Sequence, residues 1–422
     1  MGRVTLDGTG VLSIAGKKVF PLGLSNPPPL GKKAPIGKQG LAEVADGGIT
    51  LMRTGIETWS QDAFDGQMAE QRALLDAAAG AGLLCWLWLG NAASHPVDPS
   101  SVPAQLMTNI VNTFKTHPGL GVWKGADEPA NPLRGPFKIP PAPLVRAYKK
   151  LKTLDTDHPL VIIQAPRGTV ADLVPYRPAF DLTGADIYPI SYPPGVHADT
   201  DNPDITLVGD MTRKMRHAAG TKPVWMTLQI AWSGMAPSAD HPNNVPRWPS
   251  LRQERFMAYE AIVDGARGLM FFGGHMTEVC TPDDAAAGWN WKFWREVLRP
   301  LVLELSSPEL HPALVAPSEE ANVRPKTARS DIEIAVRRGN GFLYVIAVKR
   351  GGDTAQIRLV GLPPRANGTP LTSGEVLFEY VQSPLPLPRI PGHQIHRHVA
   401  VENAAFTDWF APYDVHVYRF AL

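Results

Sequence analysis

Two adjacent carboxylates, Asp127 and Glu128, end the run Gly119-Leu-Gly-Val-Trp-Lys-Gly-Ala-Asp-Glu-Pro-Ala130. The run leans apolar, and Pro129 stops it, because proline has no N–H to give to a sheet ladder. The pair is therefore expected at the carboxyl end of a strand, where a loop begins. A carboxyl group held in a partly dry cleft keeps its proton to higher pH than in water. Glu128 would then be a general acid that protonates a leaving oxygen. The plainer role for the same residue is a loop carboxylate satisfied by an arginine. Its place at a strand's carboxyl end favours chemistry, provided the strand belongs to a repeating strand–helix pattern.

That pattern is present. Apolar runs at 19–24, 49–53, 83–89, 120–126, 158–164, within 181–188, at 222–229 and at 266–272 read as strands. Helical spacing of apolar residues marks 41–47, 67–79, 102–114, 143–154, 205–219, 251–264 and 291–305. Eight strands alternating with seven helices over about 290 residues predict a (β/α)8 barrel, whose usual size is about 250 residues. An open doubly wound sheet would want a Gly-rich phosphate loop after its first strand, and none is there.

Ahead of the barrel, residues 3–20 read as a hairpin with turns at Asp7-Gly8 and Ala15-Gly16. Beyond about residue 315 the helices stop. Strand-like runs at 332–336, 342–348, 356–359, 376–381 and 415–420, separated by turns such as Gly339-Asn-Gly341, predict a small all-β sandwich. The expected division is a barrel domain with its N-terminal hairpin over 1–312 and a β-sandwich over 313–422, with 308–326 as linker.

Several other residues end or follow barrel strands and are candidates for the same face. Arg53 ends strand two, with Glu57 close behind. Asp186 and Tyr188 end strand six. Gln229 ends strand seven, and His275 and Glu278 follow strand eight. Asp186 is equally a structural hydrogen-bond acceptor, and Arg53 a partner for Glu128 or Glu57.

Here a resemblance enters. Val122-Trp-Lys-Gly-Ala-Asp-Glu-Pro129 resembles the Asn-Glu-Pro or Asp-Glu-Pro motif of the (β/α)8 glycoside hydrolases. Gly184-Ala-Asp-Ile-Tyr-Pro189 and Gly265-Ala-Arg-Gly-Leu-Met-Phe-Phe272 look like strands six and eight of that superfamily, and the appended β-domain is similar too. The resemblance covers roughly residues 19–305 through short motifs. It implies a carbohydrate substrate, with Glu128 as acid and Arg53, Glu57, Asp186, Tyr188, Gln229 and His275 around the sugar. Flat aromatic faces suit the C–H faces of pyranose rings, so Trp232, Trp289 and Trp291, with Trp248 nearby, are the expected stacking residues. Trp294, inside the last helix, reads as core.

One position departs from that superfamily. Its nucleophile is a glutamate after strand seven, where this chain has Gln229, and an amide cannot form a glycosyl ester. Either the mechanism has changed or hydrolysis has been lost. Several N-acetylhexosaminidase families use an adjacent Asp-Glu pair in which the aspartate steers the substrate's own acetamide, and Asp127-Glu128 is similar to that pair. A carbohydrate-binding pseudo-enzyme is the rival reading.

Composition narrows the rest. Lys plus Arg number 41 and Asp plus Glu 40, a net charge of +1, so no basic stripe points to nucleic acid. No run is long enough to span a membrane, and no signal pattern opens the chain. It reads as soluble: cytoplasmic, or secreted or periplasmic with a signal removed. Cys85 and Cys280 are too few for a disulfide framework, and Cys85 reads as a core thiol. No cofactor motif appears, nor His-Glu-x-x-His or a Cys pair at zinc spacing. His393, His396 and His398 read as a solvated loop or strand edge rather than a metal site.

Overall fold

Pro21 divides the first apolar stretch between two elements. In the computed structural model, Val4–Leu6, Leu12–Ile14 and Lys17–Val19 form a three-stranded antiparallel sheet, and Leu22–Leu24 alone is the first barrel strand. The structure describes residues 4–191, 194, 197–239, 241–319, 322–379 and 396–422, without the side chains of Arg134, Pro136, Phe137 and Ser233.

The remaining barrel strands are Leu51–Gly55, Leu84–Trp88, Leu120–Asp127, Leu160–Gln164, Leu182–Ala185, Met226–Gln229 and Leu269–Phe272. They pair in parallel in chain order, and strand eight returns to strand one. Single bridges Thr183–Val224 and Asp186–Thr227 join strands six and seven and close the ring. Gly184 allows that closure, since a Cβ there would fall 1.5 Å from the Trp225 carbonyl oxygen. Helices Gly40–Asp46, Phe64–Gly80, Val102–Phe114, Pro141–Leu154 and Leu207–Ala219 alternate with the strands, close to where apolar spacing puts them. Between strands five and six no helical spacing is visible. One short helix, Val170–Leu173, nevertheless forms there, capped by the Thr169 hydroxyl accepting from the Asp172 N–H.

The barrel interior is filled by Leu51, Leu84, Trp86, Val122, Val161, Leu182, Trp225 and Met270, joined by Val4 and Leu12 of the hairpin. Gly10 sits so near Pro223, just ahead of strand seven, that a Cβ would approach it to 2.9 Å. The hairpin thus stoppers the amino-terminal end of the barrel and leaves the carboxyl end open. Each large apolar side chain fully buried here contributes about 1.5–3 kcal/mol.

Strand four carries an irregularity that matters for the site. Trp123 faces Leu160 and Lys124 faces Val161 on strand five, but Asp127 faces Ile163. Strand four has one extra residue over that interval, a bulge at Gly125-Ala126. Bulges re-aim the side chains that follow them.

The second compact unit comprises Pro249–Gly265 and Trp294–Leu422, so it holds the helices Leu251–Val263, Arg299–Leu305 and His311–Leu314 as well as strands. Its five-stranded sheet runs Ile332–Gly339, Phe342–Lys349, Val415–Ala421, Ser373–Leu377, Arg397–Ala400, and a three-stranded sheet pairs Arg324–Pro325, Ala355–Val360 and Ala405–Phe410. Leu343, Val345, Leu359, Phe406, Tyr418 and Phe420 form a common core, as a sandwich requires. Three of these strands, Arg324–Pro325, Arg397–Ala400 and Ala405–Phe410, are not marked by the apolar runs. Part of the run at 376–381 lies outside the described residues, as does His393. His398 stands on the edge strand of its sheet.

Helix Leu251–Val263 is buried on nearly every side. Arg255 Nε donates to Glu304 Oε1 at 2.8 Å, Tyr259 donates to the same oxygen at 2.8 Å, and an Arg255 terminal nitrogen reaches the Val415 carbonyl at 3.0 Å. Among the described residues one acidic group, Glu260, Asp264 and Glu333, has its oxygens within 4.8 Å of one another. Arg350 supplies its positive charge, 3.0 Å from Glu260 and 3.4 Å from Glu333. Pro300, lacking an N–H, accompanies a π-helical turn, Trp294–Leu298, in the last helical stretch.

Candidate active site

All eight barrel strands or the loops they lead into send side chains into one cleft of about 230 Å3 at the carboxyl end. Strand four contributes most. Lys124 points inward from a strand that is buried up to Asp127, and is itself 2% exposed. Its Nζ donates to Asp127 Oδ1 at 2.5 Å and stands 4.3 Å from the centre of the Trp88 ring. The Arg53 guanidinium, from strand two, lies over the same ring at 5.2 Å. Burial lowers the pKa of both cations, and Asp127 opposes that shift in each. Trp88 and Asp127 together allow two buried positive charges to stand side by side.

Glu128 follows the bulge with φ +44°, a left-handed conformation that costs a non-glycine residue about 1 kcal/mol or more. Three contacts hold it there. Its N–H donates to the Ile163 carbonyl at 2.8 Å, its carbonyl accepts from the Asn131 N–H at 3.1 Å, and its Oε2 accepts from Asn131 Nδ2 at 2.9 Å. Asp186, just past strand six, is half-buried with Oδ1 shielded from solvent, and its carboxyl group hydrogen-bonds that of Glu128. Burial raises the Asp186 pKa well above the usual carboxylate range, and the charges of Glu128 and Asp127 add to the shift.

Tyr188 stacks on Phe272 at 5.4 Å and lies 4.3 Å from the His197 ring. Burial, then the Asp186 charge, raises its pKa, so it remains a phenol. The Tyr188 N–H donates to His197 Nδ1 at 3.3 Å, which makes that nitrogen an unprotonated acceptor. Burial, with Arg167 adding to it, brings the His197 pKa down to about 3. Trp232 meets the His197 ring edge-on at 4.8 Å.

Four buried polar atoms around this cleft have no partner among the described residues: Trp86 Nε1, Asp186 Oδ1, Thr227 Oγ1 and Trp232 Nε1. Unsatisfied buried groups are rare in native proteins, and their convergence on one cleft marks a place for a polar ligand. Two are obligate donors, one is a hydroxyl, and one is a carboxyl oxygen. A molecule with several hydroxyl groups, each able to donate and accept, answers all four.

Of the residues singled out in the sequence, the structure brings together Asp127, Glu128, Arg53, Asp186, Tyr188 and Trp232 around the cleft. It places others elsewhere. Gln229 is wholly buried, with both ends of its amide bonded to the Ile190 main chain, and Thr227 is the residue of strand seven that faces the cleft. Glu57 and Glu278 are exposed and outside the lining. His275 is exposed, its ring centre 5.9 Å from that of Phe272 in an edge-to-face arrangement. The flat faces expected of Trp289 and Trp291 are covered: the two are 1% and 2% exposed and pack on each other at 4.7 Å, and Trp289 Nε1 donates to the Asn26 carbonyl. Asp186, in contact with Glu128, does not stand across the cleft from it.

Lys124, Trp86, Thr227, His197 and Ser25 line the cleft without having been singled out by the sequence. Lys124 did carry a signal. A lone lysine inside a strand that is otherwise apolar on both faces must be buried, and a buried lysine needs an anion such as the aspartate three residues on.

No protein-family model matches the chain, and no curated protein matches it in sequence. Solved structures do match. A glycoside hydrolase family 5 protein from Bacteroides vulgatus superposes with a TM-score of 0.61 at 12% identity, covering 100% of this chain and 94% of that one. Another glycoside hydrolase gives 0.60 at 13%, over 100% and 97%. A GH30 endoxylanase from Clostridium papyrosolvens gives 0.50 at 11%, over the full length of both. At these identities the likeness is one of fold.

Proposed function

We infer that the chain is a glycoside hydrolase that binds a saccharide in the barrel cleft and protonates the leaving oxygen through Glu128. What carries the reading is the set of partnerless polar atoms gathered beside that residue, which a polyhydroxylated ring would satisfy. The fold shared with glycoside hydrolases supports it.

The mechanism uses no enzyme nucleophile on strand seven, where Gln229 is spent on Ile190. A retaining pair of carboxyl groups stands about 5–5.5 Å apart and an inverting pair about 6.5–9.5 Å. Asp186, in hydrogen-bond contact with Glu128, is closer than either arrangement allows. The anomeric carbon is then attacked by water or by a 2-acetamido group of the substrate, steered by Asp127. A screen of aryl and natural glycosides, 2-acetamido sugars included, tests this, and NMR of the first-formed anomer separates the two routes. Inversion excludes the acetamide.

A second reading has one observation in its favour. Strand seven presents Thr227 to the cleft where hydrolases of this fold are expected to carry a second carboxylate. A non-catalytic saccharide-binding protein would bind oligosaccharides by calorimetry and cleave none of them.

A further inference from the structure

We propose that Glu128 and Asp186 act as one acid, with the proton that leaves through Glu128 stored on Asp186. The catalytic role rests on the glycosidase reading; the stored proton does not.

Two carboxyl groups in hydrogen-bond contact need a proton between them, because two carboxylates offer no donor. Their neighbours decide where it sits. Asn131 Nδ2 donates to Glu128 Oε2 at 2.9 Å, and an amide N–H can only donate, so that oxygen is an acceptor. Asp186 is met by its own main-chain N–H but by no side-chain amide, Oδ1 has no partner among the described residues, and an ionised Asp186 would face Glu128 and Asp127. The cations nearby are committed. Lys124, on strand four, is bonded to Asp127, and Arg53, on strand two, is drawn to the same carboxylate. From the segment after strand six come only the phenol of Tyr188 and the neutral imidazole of His197. The proton therefore belongs to Asp186 and is shared toward Glu128, as in other carboxyl pairs too close for both to ionise.

In the forward step the one proton of the pair passes from Asp186 to Glu128 and from Glu128 to the glycosidic oxygen, and the C–O bond breaks with its electron pair on the departing oxygen. The pair is left with two negative charges, which makes it a strong base for the return step. Water gives its hydroxyl to the sugar and its remaining proton to the pair, restoring the starting state. In this scheme Asp186 meets the saccharide only through a hydroxyl at Oδ1, exchanges no proton with it directly, and is a positioning and proton-holding residue.

Infrared absorption of the carboxylic-acid C=O near neutral pH reads the stored proton without a substrate. The wild-type chain should show one protonated carboxyl that Asp186→Asn lacks, and Asp186→Glu should restore it. Glu254, a fully buried acid elsewhere in the chain, gives the same background in each. Equal absorption in wild type and a folded Asp186→Asn overturns the stored proton. On any glycoside the chain cleaves, Asp186→Asn should cost about tenfold or more for poor leaving groups. It should also move the alkaline limb of kcat to lower pH, since Glu128 would have no reserve. A loss of kcat with the limb unmoved would mark a merely structural role and defeat the relay. If no glycoside is cleaved, the catalytic role falls with the glycosidase reading, while the infrared result still decides the proton.

Discussion

Gln229 grips the main chain of Ile190 by both ends of its amide, Nε2 donating to the carbonyl and Oε1 accepting from the N–H, each at 2.7 Å. A carboxylate there would set one oxygen against the Ile190 carbonyl oxygen with no proton between them. Gln229→Glu should therefore not create a nucleophile. The expected outcome is a lower Tm, a stability loss of about 1–3 kcal/mol, and no trapped ester with an activated fluoroglycoside. An unchanged Tm together with new activity would contradict the pairing.

Glu128→Gln keeps the shape and the Asn131 contact but removes the proton route. For an acid catalyst a loss of about a hundred-fold in kcat/KM is expected on alkyl glycosides, shrinking on nitrophenyl glycosides that leave without help. Steady-state kinetics on both classes measure it, and full activity on an alkyl glycoside would remove Glu128 from the role.

Lys124 and Asp127 form a buried ion pair whose halves depend on each other. Lys124→Met leaves Asp127 and the rest of the cleft short of a positive charge and should cost about 3–5 kcal/mol in denaturant unfolding. The double variant Lys124→Met/Asp127→Asn should recover much of that loss. If the double variant is no more stable than the single one, the two residues are not coupled in this way.

His197 sets a pH dependence of stability. Its pKa falls from 6.5 to about 3 on folding, so between those values the unfolded chain binds a proton that the folded chain does not. Stability from this residue is complete above pH 6.5 and is lost as the pH drops toward about 3. His197→Gln should flatten the acid side of a plot of unfolding free energy against pH. An unaltered slope between those limits would show that another group carries it.

The sequence made most of the barrel legible because buried parallel strands are apolar on both faces and leave no alternation to misread. Asp127-Glu128 was legible for a different reason: Pro129 fixes where the strand ends. Side-chain destinations were harder. Trp289 and Trp291 look like loop aromatics in one dimension, and only the approach of Asn26 and of each other shows their faces to be covered. Asp186 and Glu128 are 58 residues apart, and no local spacing announces a contact between the ends of strands four and six. The strand Ala405–Phe410 escaped notice because its run carries Thr407 and Asp408. Asp408 is nearly buried, satisfied by Arg397 at 2.8 Å and by the Tyr418 hydroxyl at 2.8 Å. Those partners come from other strands, so the carboxylate reads as a strand breaker until they are in place.

The extra residue in strand four also bears on how the length of this chain can change. Loops on the outside of a barrel gain and lose codons with little penalty. The interval from Lys124 to Asp127 has no such freedom. Lys124 and Asp127 oppose Val161 and Ile163, so both face the same side of the sheet although three positions separate them. Removing either Gly125 or Ala126 would keep those partners and that side but straighten the strand, and the bend that aims Asp127 and Glu128 at the cleft would be lost. A single codon lost here would be felt by the site and not by the pairing of the sheet.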